Sequence, residues 1–132
     1  MGQPAARMND PVTAVDTHII MNPSPGGPVP TPTPHPFNGK LLNNLSTNVM
    51  IDGLAAATQG SIAMNIPPHV PIGAGPFMKP PTNQGTVQMG STTVLINNKP
   101  AARVGDTVMT CNDPVDLPVG TIVSGSTSVL IG

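Results

Sequence analysis

The 132-residue chain has no tryptophan, tyrosine or glutamate, and only two phenylalanines and one cysteine. Charge is equally sparse: five Lys and Arg face six Asp, for a net charge of −1. Each shortage excludes something. Without aromatic stacking platforms or a basic run, nucleic acid is not a main partner. A single cysteine rules out an internal disulfide and fits synthesis in a reducing cytosol. No apolar stretch reaches the ~20 residues of a membrane-spanning helix, because Pro, Gly and Asn interrupt every one. The opening MGQPAARMND lacks the apolar stretch of a secretory signal, and Ala6 stands where a myristoylation signal requires Ser or Thr. Strong helix formers are scarce, which excludes a helical bundle.

What is abundant is turn chemistry: 18 Pro and 14 Gly, together just under a quarter of the chain. Val, Ile, Leu and Phe remain frequent enough for one folded domain spanning residues 1–132. Internal repeats organise that domain. Residues 85–97, GTVQMGSTTVLIN, and 120–132, GTIVSGSTSVLIG, agree at eight of 13 positions. A weaker copy, STNVMIDGLAAATQG, occupies 46–60, and PAARMND at 4–10 echoes PAARVGD at 100–106. The unit is a short apolar strand, a polar turn, an Ala-Ala segment and a Gly-Asp turn. The first copy lacks its leading strand, and the last lacks everything after it.

Each unit reads as a β-hairpin, with strands expected at 46–51, 91–96 and 126–131. Asp52-Gly53 and Asn97-Asn98 are turn pairs suited to positive φ. The alanines suit a crowded interior where strands converge. Residues 22–38 and 65–83 are Pro-rich and stiff, and read as ordered wall or tip loops rather than linkers. Arg7 and Arg103 are expected to pair with Asp10 and Asp106 or with turn carbonyls. Asp113 and Asp116 read as turn formers, and the eight Met residues as core filler with a few facing a partner.

With these repeats in view, the chain resembles the PAAR-repeat family. The motif stands at Pro4-Ala5-Ala6-Arg7 and at Pro100-Ala101-Ala102-Arg103, the second continuing into Val104-Gly105-Asp106. Leu54-Ala55-Ala56-Ala57-Thr58-Gln59-Gly60 is a degenerate copy. The resemblance implies an all-β, cone-like, pseudo-threefold fold with Pro-rich loops, a broad base and a metal-stabilised tip. It also implies a non-enzymatic cap that sharpens the trimeric central spike of a contractile injection machine for membrane piercing. The partner would be a VgrG-like or phage central-spike-like trimer, one tip per trimer. The machine would be a type VI secretion apparatus, an extracellular injection particle or a phage-tail-like device. The protein would be made in the bacterial cytoplasm, assembled at the tip of the apparatus and delivered outside or into target cells. The chain stops directly after its last repeat strand, so no effector extension is expected.

His18 lies eight residues after Asp10, His69 eight after Ser61, and Cys111 five after Asp106, all at corresponding places in their repeats. His35 sits in the first Pro-rich loop. Imidazole and thiolate suit tetrahedral Zn²⁺, and a cone apex has little volume for an apolar core. By themselves the spacings match no standard zinc signature, and solvated loop histidines plus a small buried cysteine are the plainer reading. The family resemblance turns this toward one structural zinc held by His18, His35, His69 and Cys111, with iron as the second choice. Asp16 hints at a carboxylate–imidazole pair with His18. The competing function is a small zinc hydrolase with a three-histidine site and a reactive water. Cys111 argues against it, because a thiolate would close the fourth position.

Overall fold

A computed structural model describes residues 2–132. The described residues form twelve strands and no helix. Six strands close into an antiparallel barrel: β2 (Pro11–Asn22), β3 (Val29–Asn43), β6 (Ile62–Asn65), β7 (Gln84–Val87), β10 (Thr107–Thr110) and β11 (Leu117–Ile122). They pair as three hairpins, β2–β3, β6–β7 and β10–β11, each bonded to the next. Three two-residue ladders complete the repeats. They are β4 (Met50–Ile51) with β5 (Leu54–Ala55), β8 (Leu95–Ile96) with β9 (Lys99–Pro100), and β1 (Gln3–Pro4) with β12 (Leu130–Ile131). The incomplete first and last copies therefore make one hairpin between them.

Sequence and structure agree on the turns. Asp52, Gly53, Asn97 and Asn98 all adopt positive φ, between 52° and 80°. The expected six-residue strands shrink to two residues each, because their Ser-Thr halves turn instead. Ser46, Ser91 and Ser126 each accept the N–H of the residue three positions on, at 2.9 Å, which bends the backbone out of a ladder. Each serine also donates to the turn of the neighbouring hairpin, at Asn97, Gly132 and Asp52 respectively. These three bonds link the ladders into a ring.

The alanines lie where that ring meets the axis. Ala57 N–H donates to Ala6, Ala6 to Ala102 and Ala102 to Ala57, each at 3.0 Å. All three are fully buried. On one side of this closed cycle, Ile51, Ile96 and Ile131 pack with Ala5, Ala56 and Ala101. On the other side Val12, Leu41, Ala63, Val87, Val108 and Ile122 fill the barrel. One step further along, Gly39, Gly85 and Gly120 leave the interior to the buried Phe37. A Cβ there would come within 2.5 Å of Phe37, 2.9 Å of Val108 and 2.8 Å of Thr110, respectively.

Beyond Phe37 the threefold pattern breaks. β2 and β3 run for 12 and 15 residues against four to six for the other hairpins, so one long hairpin projects past the rest. The first Pro-rich segment is largely strand, with Pro30, Pro32, Pro34 and Pro36 at alternate exposed positions of β3. Thr17 and Ile19 of β2 point their N–H groups away from β3, to Asn112 and Asp113. The bonded pairs with β3 thus involve Thr31, Thr33 and His35, and the prolines sit where a missing N–H faces an unpaired edge. The second Pro-rich segment stays a loop but is tied down, with Met21 N–H on Pro76 and Met78 N–H on Ile19.

The axial cycle leaves no room for a longer side chain. Ala57→Leu is expected to cost about 1–3 kcal/mol by overpacking. Denaturant unfolding measures it, and an unchanged midpoint would contradict the close approach described above.

Candidate metal centre

The projecting hairpin alternates inward and outward, so Val12, Asp16, His18 and Ile20 of β2 face the interior with His35 and Phe37 of β3. Asp16 stands opposite His35 in the β2–β3 register. His69 arrives from the loop after β6, and Cys111 directly follows β10. The side chains of Asp16, His18 and His69 are at most 2% exposed, and Cys111 is 2% exposed as a residue.

One ligand atom from each of Asp16, His18, His69 and Cys111 lies within 4.8 Å of the other three. His69 Nε2 is 2.9 Å from Asp16 Oδ2, and Cys111 Sγ is 3.5 Å from that oxygen and 3.7 Å from His18 Nε2. Thr110 Oγ1 donates to Asp16 Oδ1, and the Asn112 amide lies 3.5 Å from the same oxygen. His18 Nδ1 faces Asp113 Oδ2 at 3.6 Å yet makes no hydrogen bond. Phe77 packs edge-on to His18, and Phe37 lies beneath His69.

Three of the four residues expected to hold the metal, His18, His69 and Cys111, meet in this cluster. His35, the fourth, is a neighbour of it: its ring is 5.5 Å from that of His18 and 5.7 Å from that of His69. Its nitrogens are engaged elsewhere, Nδ1 with Thr33 O at 2.8 Å and Nε2 with Ile72 N–H at 3.1 Å. Asp16 was expected beside His18 but bonds His69. Its signal is legible in hindsight, since Asp16-x-His18 places both residues on one face of a strand. Asp113 is more than a turn former, being buried, accepting the Ile19 N–H and facing His18, whereas Asp116 is exposed. Arg7 and Arg103 pair with Asp10 and Asp106 at 3.1 Å and 2.9 Å, as expected.

Electrostatically the cluster is unsettled without a cation. Burial lowers the pKa of His18, and the nearby His69 lowers it further. Burial, then the Asp16 carboxylate, pushes the Cys111 thiol up to about 11. A buried carboxylate, two imidazoles and a thiol gathered within 4.8 Å, with His18 Nδ1 left without a hydrogen bond, fit a small divalent ion, whose charge would favour the thiolate. The donors, two nitrogens, an oxygen and a sulfur, fit tetrahedral zinc.

Residues 79–132 match the family model described as the PAAR motif. Neither the curated proteins nor the solved structures gave a match.

The raised thiol pKa has a direct consequence. At pH 8, a thiol pushed up to about 11 holds about 100-fold less thiolate than an ordinary one. A disulfide-exchange reagent should therefore modify Cys111 at least about 100-fold more slowly in the folded, metal-free chain than in the denatured one. Fast native modification would show an open site.

Proposed function

Because residues 79–132 match the PAAR motif, we propose that the chain is a PAAR-repeat protein, the non-enzymatic tip of a contractile injection machine seated on a trimeric VgrG-like or phage-type spike. One observation carries the reading. Met50, Leu95 and Leu130 occupy the same place in the three repeats and stand 59–63% exposed around the pseudo-threefold axis. Behind each lies a buried Ile, so the outward residue is not needed for the local core. Three equivalent apolar side chains around one axis suit a partner with true threefold symmetry, and they suit it as a single copy per trimer. At the far end, one zinc ion bound by His18, His69 and Cys111 would stiffen a region too narrow for an apolar core. The hydrolase reading has less support: the thiol joins the cluster, and a closed ligand set leaves no place for a reactive water.

Two outcomes follow. Light scattering of the purified complex should give one tip chain per spike trimer. Leu95→Asp should weaken that complex at least tenfold without lowering the melting temperature, and moderate salt should change it little. Three tip chains per trimer, or no complex, overturns the docking. Elemental analysis should give close to one zinc per chain, and Cys111→Ala should lower both the zinc content and the melting temperature. A metal-free protein of unchanged stability overturns the zinc.

A further inference from the structure

We infer that the fourth ligand of this metal centre is the Asp16 carboxylate, and that His35 is a latch holding the tip loop rather than a ligand. The inference rests on the metal reading above and departs from the three-histidine, one-cysteine set that the family resemblance implies.

Geometry supports it first. A zinc ion with bonds of about 2.0–2.3 Å needs ligand atoms roughly 3.3–3.7 Å apart. Three separations, His69 Nε2–Asp16 Oδ2 at 2.9 Å, Cys111 Sγ–Asp16 Oδ2 at 3.5 Å and Cys111 Sγ–His18 Nε2 at 3.7 Å, are close to those edges, and the four ligand atoms all lie within 4.8 Å of one another. A hydrogen bond between His69 and Asp16 explains the shortest of them. It does not explain why the Cys111 thiol stands against the same oxygen with the His18 imidazole against that thiol.

The surroundings of Asp16 support it next. Thr110 Oγ1 and the Asn112 amide hold Oδ1, while Oδ2 is left toward the His69 imidazole and the thiol. Asn112 is itself fixed, because its Oδ1 accepts the Thr17 N–H at 2.6 Å. That arrangement orients a carboxylate to offer one oxygen. His18 is aimed in the same way, with Nε2 toward Cys111 and Nδ1 toward Asp113.

His35 has different work. As the Nδ1–H tautomer it donates to Thr33 O, and its Nε2 lone pair accepts the Ile72 N–H. Turning Nε2 to a metal would strand that N–H and free the loop at Ile72.

Zinc X-ray absorption on the wild-type protein tests this without any variant. The scattering from imidazole rings should count two, and a count of three overturns the assignment. Cobalt substitution gives an independent readout. His35→Gln should keep one metal per chain and the wild-type visible spectrum, while exchange of the Ile72 amide hydrogen quickens. Asp16→Asn should change the spectrum and weaken metal binding at least about 100-fold. The reverse pattern, with His35→Gln losing metal and Asp16→Asn keeping the spectrum, also overturns it. A wild-type chain that binds no metal would overturn the underlying zinc reading as well, and the docking stoichiometry would remain a separate question.

Discussion

Three backbone hydrogen bonds between Ala6, Ala57 and Ala102 set the terms for the rest of the molecule. For three chain segments to bond in a closed cycle, their backbones must approach more closely than any larger side chain permits. That requirement explains the alanines in all three copies, including the one that has lost both Pro and Arg. It also fixes the neighbouring positions. With the alanines inward, Arg7, Thr58 and Arg103 take matching places in the three bridges that surround the cycle. The two arginines fold back onto Asp10 and Asp106, while the Thr58 N–H finds Ser61 Oγ instead. Two bidentate ion pairs and one neutral bond thus do the same geometric task.

The two ends of the axis meet different constraints. Toward the base, each repeat supplies one Ile to the interior and one exposed apolar residue outside it, so the symmetry can be retained. Toward the opposite end, the barrel interior has shrunk to glycines around a single Phe37. Three equal hairpins could not all continue past that point. One does, and the space it encloses is too small for an apolar core and is lined instead by histidines, a thiol and carboxylates. Burying such groups is costly unless each finds a partner. A bound cation resolves that cost in the way that packing resolves it elsewhere.

Sequence and structure agree where the physics is local. Asp52-Gly53 and Asn97-Asn98 take positive φ at their hairpin turns, and an Arg three residues before an Asp across a tight turn readily pairs with it. The Pro-rich run 22–38 looks like a loop in sequence yet is strand from Val29 onward, for a reason that is not local. Alternate prolines are compatible with a strand only when every missing N–H faces an unpaired edge, and the edge is a property of the sheet. The Ser-Thr segments alternate like strand yet turn, because alternation alone does not show that the serine oxygen captures the backbone ahead of it.

The sequence by itself determined the repeat unit, the all-β class, the turns, the axial alanines and the Arg–Asp pairs. All of these depend on residue type and on spacings of a few positions. Only the tertiary structure decided that the first and last strands complete one repeat between them, that one hairpin outgrows the others, and that Asp16 rather than His35 stands with His18, His69 and Cys111. The physical reason is stagger. Closing six strands into a barrel shifts each hairpin along the axis relative to the next, and that shift decides which inward side chains share a level. Repeat spacing along the chain carries each donor to the right end of the barrel. Which atoms then meet depends on the register of strands that lie far apart in sequence.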